Sequence, residues 1–503
     1  MSSGGSQPNV RALGRSAARG GAVTLAGQGL RIGIQITSII LLARLLGPAD
    51  YGLVAMVTAV VGIADLLQDF GLSRAAIQAP SITRGQRDNL FWLNLAFGAA
   101  AGLTVFVAAP LVALLYGEPA LAVITRWLAI PFVVGGMAAQ FRAGLLRDLR
   151  FGVSAVIDVV GPLLGLVVAV AIAAAEGSYW ALVAQQVVAS GVMALGAILA
   201  ARWWPGLPKR HESVRTFVSY GLHFLGAQTL TYVSMNVDTV VVGARFGASA
   251  AGLYNRAFQM MMLPIRQLTW PAAKVAMPVL SRLQDDAEQF SRFLVRGQTI
   301  LLNAMVPFLA LAAALAGPVV EIVLGPMWVD VVPVFAVLAV GGIFQAAGFA
   351  PNWVFMSTGN TRAQLQFALV SRPLVVVGVL LGSIWGVIGV AAGYSAMMAL
   401  IWPASLWWVG RVTGISVRPW FVSGARTVVA HSGAAAGAGF VAALVGPDHP
   451  WVAILLGGVV MTVILGLELV LWPAFRHDAR QLVRTRKLLG RSRREPVSVG
   501  TEG

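Results

Sequence analysis

Cysteine is absent from all 503 residues. Disulfides, thiol nucleophiles and cysteine-based metal sites are therefore excluded. Histidine is scarce, with five copies, and they are scattered; His211, His449 and His477 fall in loops or the tail. No Walker motif, HExxH pair or Ser-His-Asp arrangement is present, so neither a metal nor another cofactor is expected. Charge is scarce as well, at 11% of residues against about 25% in soluble domains. Acids number 20 against 36 lysines and arginines, leaving a net charge of +16. Lysine is confined to Lys209, Lys274 and Lys487.

What the chain does have is apolar length. Hydrophobic residues make up 58% of it, and the mean hydropathy is +0.79. Runs of roughly 20 apolar residues recur from end to end, each able to cross ~30 Å of hydrocarbon. We count about 14 such runs, from 22–46 to 451–473. They include 51–69, 216–244, 252–278, 363–382 and 385–409. The expected fold is an all-α integral membrane protein.

The basic residues lie in alternate loops, as the positive-inside rule requires. Arg11, Arg15 and Arg19, Arg84 and Arg87, Arg142, Arg147 and Arg150, and Lys209, Arg210 and Arg215 share one side with the tail from Arg476 to Arg494. The other side is mostly acidic, with Asp50, Glu118, Glu176, Glu321, Asp330 and Asp448. This accounts for the net charge without nucleic acid. It places both termini in the cytoplasm. The basic tail is expected to touch anionic lipid.

The chain repeats itself. Residues 43–53 read ARLLGPADYGL and residues 243–253 read GARFGASAAGL. Gly47, Gly52 and Leu53 recur as Gly247, Gly252 and Leu253, an offset of 200. Two copies of one membrane lobe are the usual build of a transporter. The expected organisation is a disordered tail (1–20) and a first lobe of six helices (21–203), joined by a linker (204–213) to a second lobe of six (214–410). Two added helices (411–475) and a basic tail (476–503) follow.

Polar residues enter the membrane in a pattern. Thr24, Gln28, Arg31, Gln35 and Ser38 are spaced 4, 3, 4 and 3, so they share one helical face. An arginine at mid-helix costs roughly 2.5–3.5 kcal/mol on insertion scales. That face is expected to line a wet cavity; a buried seam between helices is the alternative. Arg266, Arg372 and Lys274 add cations to apolar runs. Asp238 is the main deep acid, and it either pairs with a cavity arginine or binds a proton or sodium ion. Pro264, Pro271 and Pro278 recur every seven residues and predict a bent or broken helix. Arg256 is expected to snorkel at the outer end, while Asp65, Asp69 and Asp158 are expected to pair with arginines. A cavity lined by arginine selects anions, phosphate above all.

LLARLLGPADYGLVAM (41–56), LLRDLRF (145–151), MNVDTVVVGARFGASAAGLYNRAFQMMMLPI (235–265), PVLSRLQDD (278–286) and LGPMW (324–328) together resemble the Wzx-type polysaccharide flippases. These belong to the multidrug/oligosaccharidyl-lipid/polysaccharide exporter superfamily. The resemblance implies a V-shaped pair of lobes that carries a polyprenyl-diphosphate-linked oligosaccharide outward by alternating access. In the cavity read above, Gln28, Arg31, Gln35, Arg266, Lys274 and Arg372 are the expected substrate contacts, and the resemblance implies a bacterial inner membrane and proton or sodium coupling at Asp238. Expected partners are the lipid-linked glycan, membrane lipids and polysaccharide polymerase or ligase machinery. A drug or organic-cation antiporter of the same superfamily is one alternative; a membrane polymerase or ligase is the other. The outer loops, none longer than about ten residues, argue against the latter.

Overall fold

A computed structural model describes residues 10–478, apart from 70, 80, 210, 212 and 213. Most of the described residues are helical, and none of them is in a strand. Ten helices among them are long and apolar enough to cross a membrane. Helix also covers every run expected from the sequence. Two compact units divide the chain, residues 1–252 and 253–503.

The first unit contains α1 (Val10–Leu45), α2 (Pro48–Val61), α3 (Ile63–Asp69), α4 (Leu72–Gln78), α5 (Arg84–Tyr116), α6 (Ala120–Leu128), α7 (Ile130–Arg147), α8 (Phe151–Glu176) and α9 (Trp180–Ala200). It also takes the first part of α10 (Arg215–Leu283). Thus the run 216–244, expected to open the second lobe, groups with the first unit. α8 packs on both α1 and α9, and α7 on both α5 and α9. The outer faces stay apolar: Leu103, Val107, Leu111 and Leu114 on α5 are 63–79% exposed. Exposed apolar residues at a three-to-four spacing suit lipid rather than water.

The run 51–69 is one span in the pattern but two helices in the structure, α2 and α3, meeting at Gly62. The Tyr232 hydroxyl donates to the Thr58 carbonyl at 2.7 Å and fills the space beside Gly62, where a methyl group would strike it. The two copies of the repeat start their helices differently. In the first, Pro48 opens α2 and Asp50 accepts from the Gly47 N–H at 3.2 Å. The second has no such acid. Gly247 takes φ +81° instead, a left-handed value that suits glycine, and turns the chain inside α10. The copies also touch. A methyl group at 52 would overlap the Ala248 carbonyl oxygen, and one at 252 would overlap that of Pro48.

The second unit holds the rest of α10, then α11 (Ala287–Ala314), α12 (Ala316–Val323), α13 (Val331–Ala347), α14 (Phe349–Ser357), α15 (Thr361–Gly382), α16 (Gly386–Thr413), α17 (Arg418–Val445) and α18 (Pro450–Leu471). α11 packs on α13 and α17, α13 on α16, and α17 on α18. α15 and α16 form a tight hairpin in which Gly378 and Gly382 face Gly393 and Gly389. Paired small residues four apart let backbones approach closely in lipid. Of the bend or break expected at the prolines of α10, no break is found: Pro264, Pro271 and Pro278 lie inside the helix, and its non-helical backbone is at Gly247. A proline removes one hydrogen bond and bends a helix without forcing its dihedrals out of the α region.

Candidate functional site

The stripe on α1 is accessible over most of its length. Thr24, Gln28, Arg31 and Gln35 are exposed, and Ser38 is half-buried. Ser38 accepts a 2.8 Å hydrogen bond from Gln185 Nε2 of α9. Ser38 thus packs where α1 meets α9, while Gln28, Arg31 and Gln35 are exposed, as are Leu25, Leu30 and Ile36 of the same helix. Polar side chains left open at this depth need water or a polar ligand.

Asp238 belongs to the same unit and is 3% exposed. Its Oδ1 accepts the Thr239 N–H at 2.7 Å. The remaining expected site residues lie in the second unit. Arg266 and Lys274 are exposed on α10, and Arg372 is half-buried on α15 near Tyr394. The Tyr394 hydroxyl donates to Gln345 Oε1 at 3.0 Å, which fixes the ring beside that arginine. The first unit thus carries Gln28, Arg31, Gln35 and Asp238, and the second carries Arg266, Lys274 and Arg372.

Three expectations for individual charges are resolved. Arg256 does not snorkel: it is 9% exposed, and its Nη1 donates to Gln259 Oε1 at 3.2 Å. Asp158 pairs with Arg142 at 2.5 Å, as expected. Asp65 is held by Gln68 Nε2 at 3.1 Å, an amide in place of the arginine expected. The side chain of Asp69 lies outside the described residues. No group of three metal-capable side chains occurs among the described residues.

The linker is strapped to α5, which the sequence pattern did not reveal. Asp88 is 2% exposed, and its carboxylate accepts the Gly206 N–H at 3.2 Å. The Asn89 amide donates to the Lys209 carbonyl at 2.8 Å and accepts from its N–H at 2.7 Å. Trp92 Nε1 donates to the Gly206 carbonyl at 2.8 Å. One turn of α5 therefore satisfies four backbone groups of residues 206–209. That spacing (Asp, Asn, then Trp) is the signal in the sequence, and its partner lies more than a hundred residues away.

These features define a multi-pass α-helical membrane protein with the fold of a lobed transporter. The fold matches "Lipid II flippase MurJ, inward closed conformation" with a TM-score of 0.68 at 12% identity, over 89% of this chain and 99% of that one. It also matches an inward-facing multidrug resistance MATE family transporter of the MOP superfamily, TM-score 0.62 at 14% identity, over 78% and 98%. The chain belongs to the polysaccharide biosynthesis protein family, whose model matches residues 41–333. Among its relatives is the lipopolysaccharide biosynthesis protein WzxC of Escherichia coli (strain K12), 26% identical over 72% of this chain and 74% of that protein. Another is the succinoglycan biosynthesis transport protein ExoT of Rhizobium meliloti (strain 1021), 26% identical over 74% and 73%. The resemblance read from the sequence motifs is thereby met.

Proposed function

We propose that this protein carries a polyprenyl-diphosphate-linked oligosaccharide from the cytoplasmic to the outer leaflet of a bacterial inner membrane, for surface polysaccharide assembly. The observation that carries this reading is the α1 stripe. Gln28, Arg31 and Gln35 lie on one face at membrane depth and stay exposed in the folded chain. Arginine forks suit diphosphate oxygens, and amides suit sugar hydroxyls. The family and the relatives named for lipopolysaccharide biosynthesis and succinoglycan transport point the same way.

In this reading Arg31, Arg266 and Arg372 hold the diphosphate while the lobes alternate between inward and outward access. Gln28, Gln35 and Lys274 contact the head group, and the lipid tail stays in the bilayer. No covalent bond changes, so the protein is a transporter and not an enzyme. Asp238 couples the cycle to a proton or sodium gradient. Polymerase or ligase machinery takes up the glycan outside, and both termini stay in the cytoplasm.

The test is export of lipid-linked glycan by cells lacking their own flippase. Arg31→Glu and Arg372→Glu should each abolish export while the protein still inserts. Wild-type export from both would sink the proposal. Loss of drug resistance in Asp238→Asn, with both arginine variants silent, would establish the antiporter reading instead.

A further inference from the structure

A second cationic locus lies at the basic end of the first unit. A cavity of 630 Å³ opens between the start of α5, the end of α7 and the strapped linker. Its volume suits a small molecule, for which sites run to about 300–1,000 Å³. Arg84, Arg87, Arg147 and Arg202 line it, against one lining acid, Asp148.

The fold holds these cations in place. The Arg87 guanidinium lies 4.4 Å from the centroid of the Trp203 ring. Trp203 is itself locked in a core with Phe91, Phe141 and Leu145. Gly144 leaves the room that Arg87 Nη2 fills; a methyl group there would strike the nitrogen. Arg147 Nη1 donates to the carbonyls of Ala76 and Ala79, at 2.7 Å each, and closes the end of α4. Arg84 and Arg202 are exposed at the rim. The acids acting on Arg87 are Asp148 and Asp88, and Asp88 is already engaged by the Gly206 N–H.

A second observation points to a ligand. Gln140 lines the same cavity and is 1% exposed, yet its Nε2 has no hydrogen-bond partner. A buried amide donor without an acceptor is a cost that a ligand oxygen removes. The N-terminus of the 33-residue helix α5 adds its positive dipole end to the rim. Donors and cations dominate the lining, and acceptors are few.

We propose that this cavity binds a phosphate-bearing head group at the face that the positive-inside rule assigns to the cytoplasm. Paired guanidinium groups grip phosphate oxygens bidentately, and the Gln140 amide donates a further hydrogen bond. None of these residues belongs to the α1 stripe or its expected partners, so the site stands whether or not the transport reading does. The phosphate arrives on a soluble compound or on a lipid.

Purified full-length protein in neutral detergent is titrated with sodium pyrophosphate by calorimetry. The same protein in phosphatidylcholine nanodiscs, with and without added phosphatidylglycerol, is examined by native mass spectrometry for retained lipid. Saturable pyrophosphate binding is expected. It should weaken at least about 10-fold in the double variant Arg84→Gln/Arg202→Gln, as the loss of charge-assisted bonds implies. Both positions are exposed, so folding is preserved. Gln140→Leu, which keeps bulk and removes the amide, should weaken it as well, whereas Arg31→Gln should leave it unchanged. Retained phosphatidylglycerol that pyrophosphate displaces marks a lipid as the source; pyrophosphate binding alone marks a soluble one. Absence of saturable binding with both probes overturns the proposal. So does binding that survives the Arg84/Arg202 variant, or that is lost only with Arg31.

Discussion

Replacing Gly52 with alanine tests the contact between the two copies of the repeat. The added methyl group would overlap the Ala248 carbonyl oxygen, and that obstacle is backbone with no rotamer to change. The two helices must move apart instead. Overpacking of this kind costs about 1–3 kcal/mol. The separation also lengthens any Cα–H···O contacts across the pair, worth about 0.5–1 kcal/mol each. Gly33 on α1 is the control: a methyl group there meets nothing within 4 Å, and glycine to alanine inside a helix gains up to about 1 kcal/mol. The two substitutions should therefore differ by about 2–4 kcal/mol, or roughly 30- to 1,000-fold in an equilibrium constant. Thermal unfolding of purified protein, followed by circular dichroism, reads the difference. Gly52→Ala should lower the midpoint, and Gly33→Ala should hold or raise it. Gly252→Ala should resemble Gly52→Ala, and the double variant should cost less than the sum, because the first methyl group opens the gap that the second needs. A Gly52→Ala protein that melts with the wild type would refute the reasoning.

Three further outcomes follow from local geometry. Asn89→Ala removes two hydrogen bonds to Lys209, each worth about 0.5–1.5 kcal/mol; hydrogen exchange at residues 206–209 should quicken while α5 itself stays protected. Arg426 pairs with Asp478 at 2.8 Å in a mostly buried setting. Arg426→Gln should leave the carboxylate unpaired, cost about 3–5 kcal/mol, and expose residues 473–478 to exchange or proteolysis. Asp286 caps α11, accepting the Gln289 N–H at 2.9 Å. The backbone N–H of Gln289 holds its carboxyl below the ordinary value of 3.8. A depressed acid stabilises the fold above its unfolded pKa and loses that contribution as pH falls through its folded one. Protection of the Gln289 amide should accordingly decline below pH 3.8, and Asp286→Asn, still able to cap, should abolish that dependence.

Much of the fold was legible because lipid demands long apolar helices, and the repeat marked where the copies correspond. The α1 stripe was legible for the same reason: a three-to-four spacing fixes a helical face whatever surrounds it. What escaped depended on distant partners. The Tyr232 hydroxyl reaches Thr58 beside Gly62 from 174 residues away, and no local pattern encodes that contact. The cavity at the basic end escaped for another reason. Each of Arg84, Arg87 and Arg147 was fully accounted for by topology, and only the packing of α5, α7 and the linker makes one locus of them. Arg256 shows the reverse error: depth along a helix did not say which face the side chain takes.

The contact at Gly52 and Gly252 has a reciprocal form. Residue 52 meets the backbone at 248, and residue 252 meets the backbone at 48, which is the same step taken from the other copy. Mutual contacts of this kind arise on a two-fold axis, where one patch meets its own image. A single chain has no symmetry to obey, yet this pair retains the rule of a homodimer. Each glycine is kept small by the backbone of the other copy, at 248 and at 48. The two copies have diverged in their helix starts and in their charges, and this crossing is where they still have to agree.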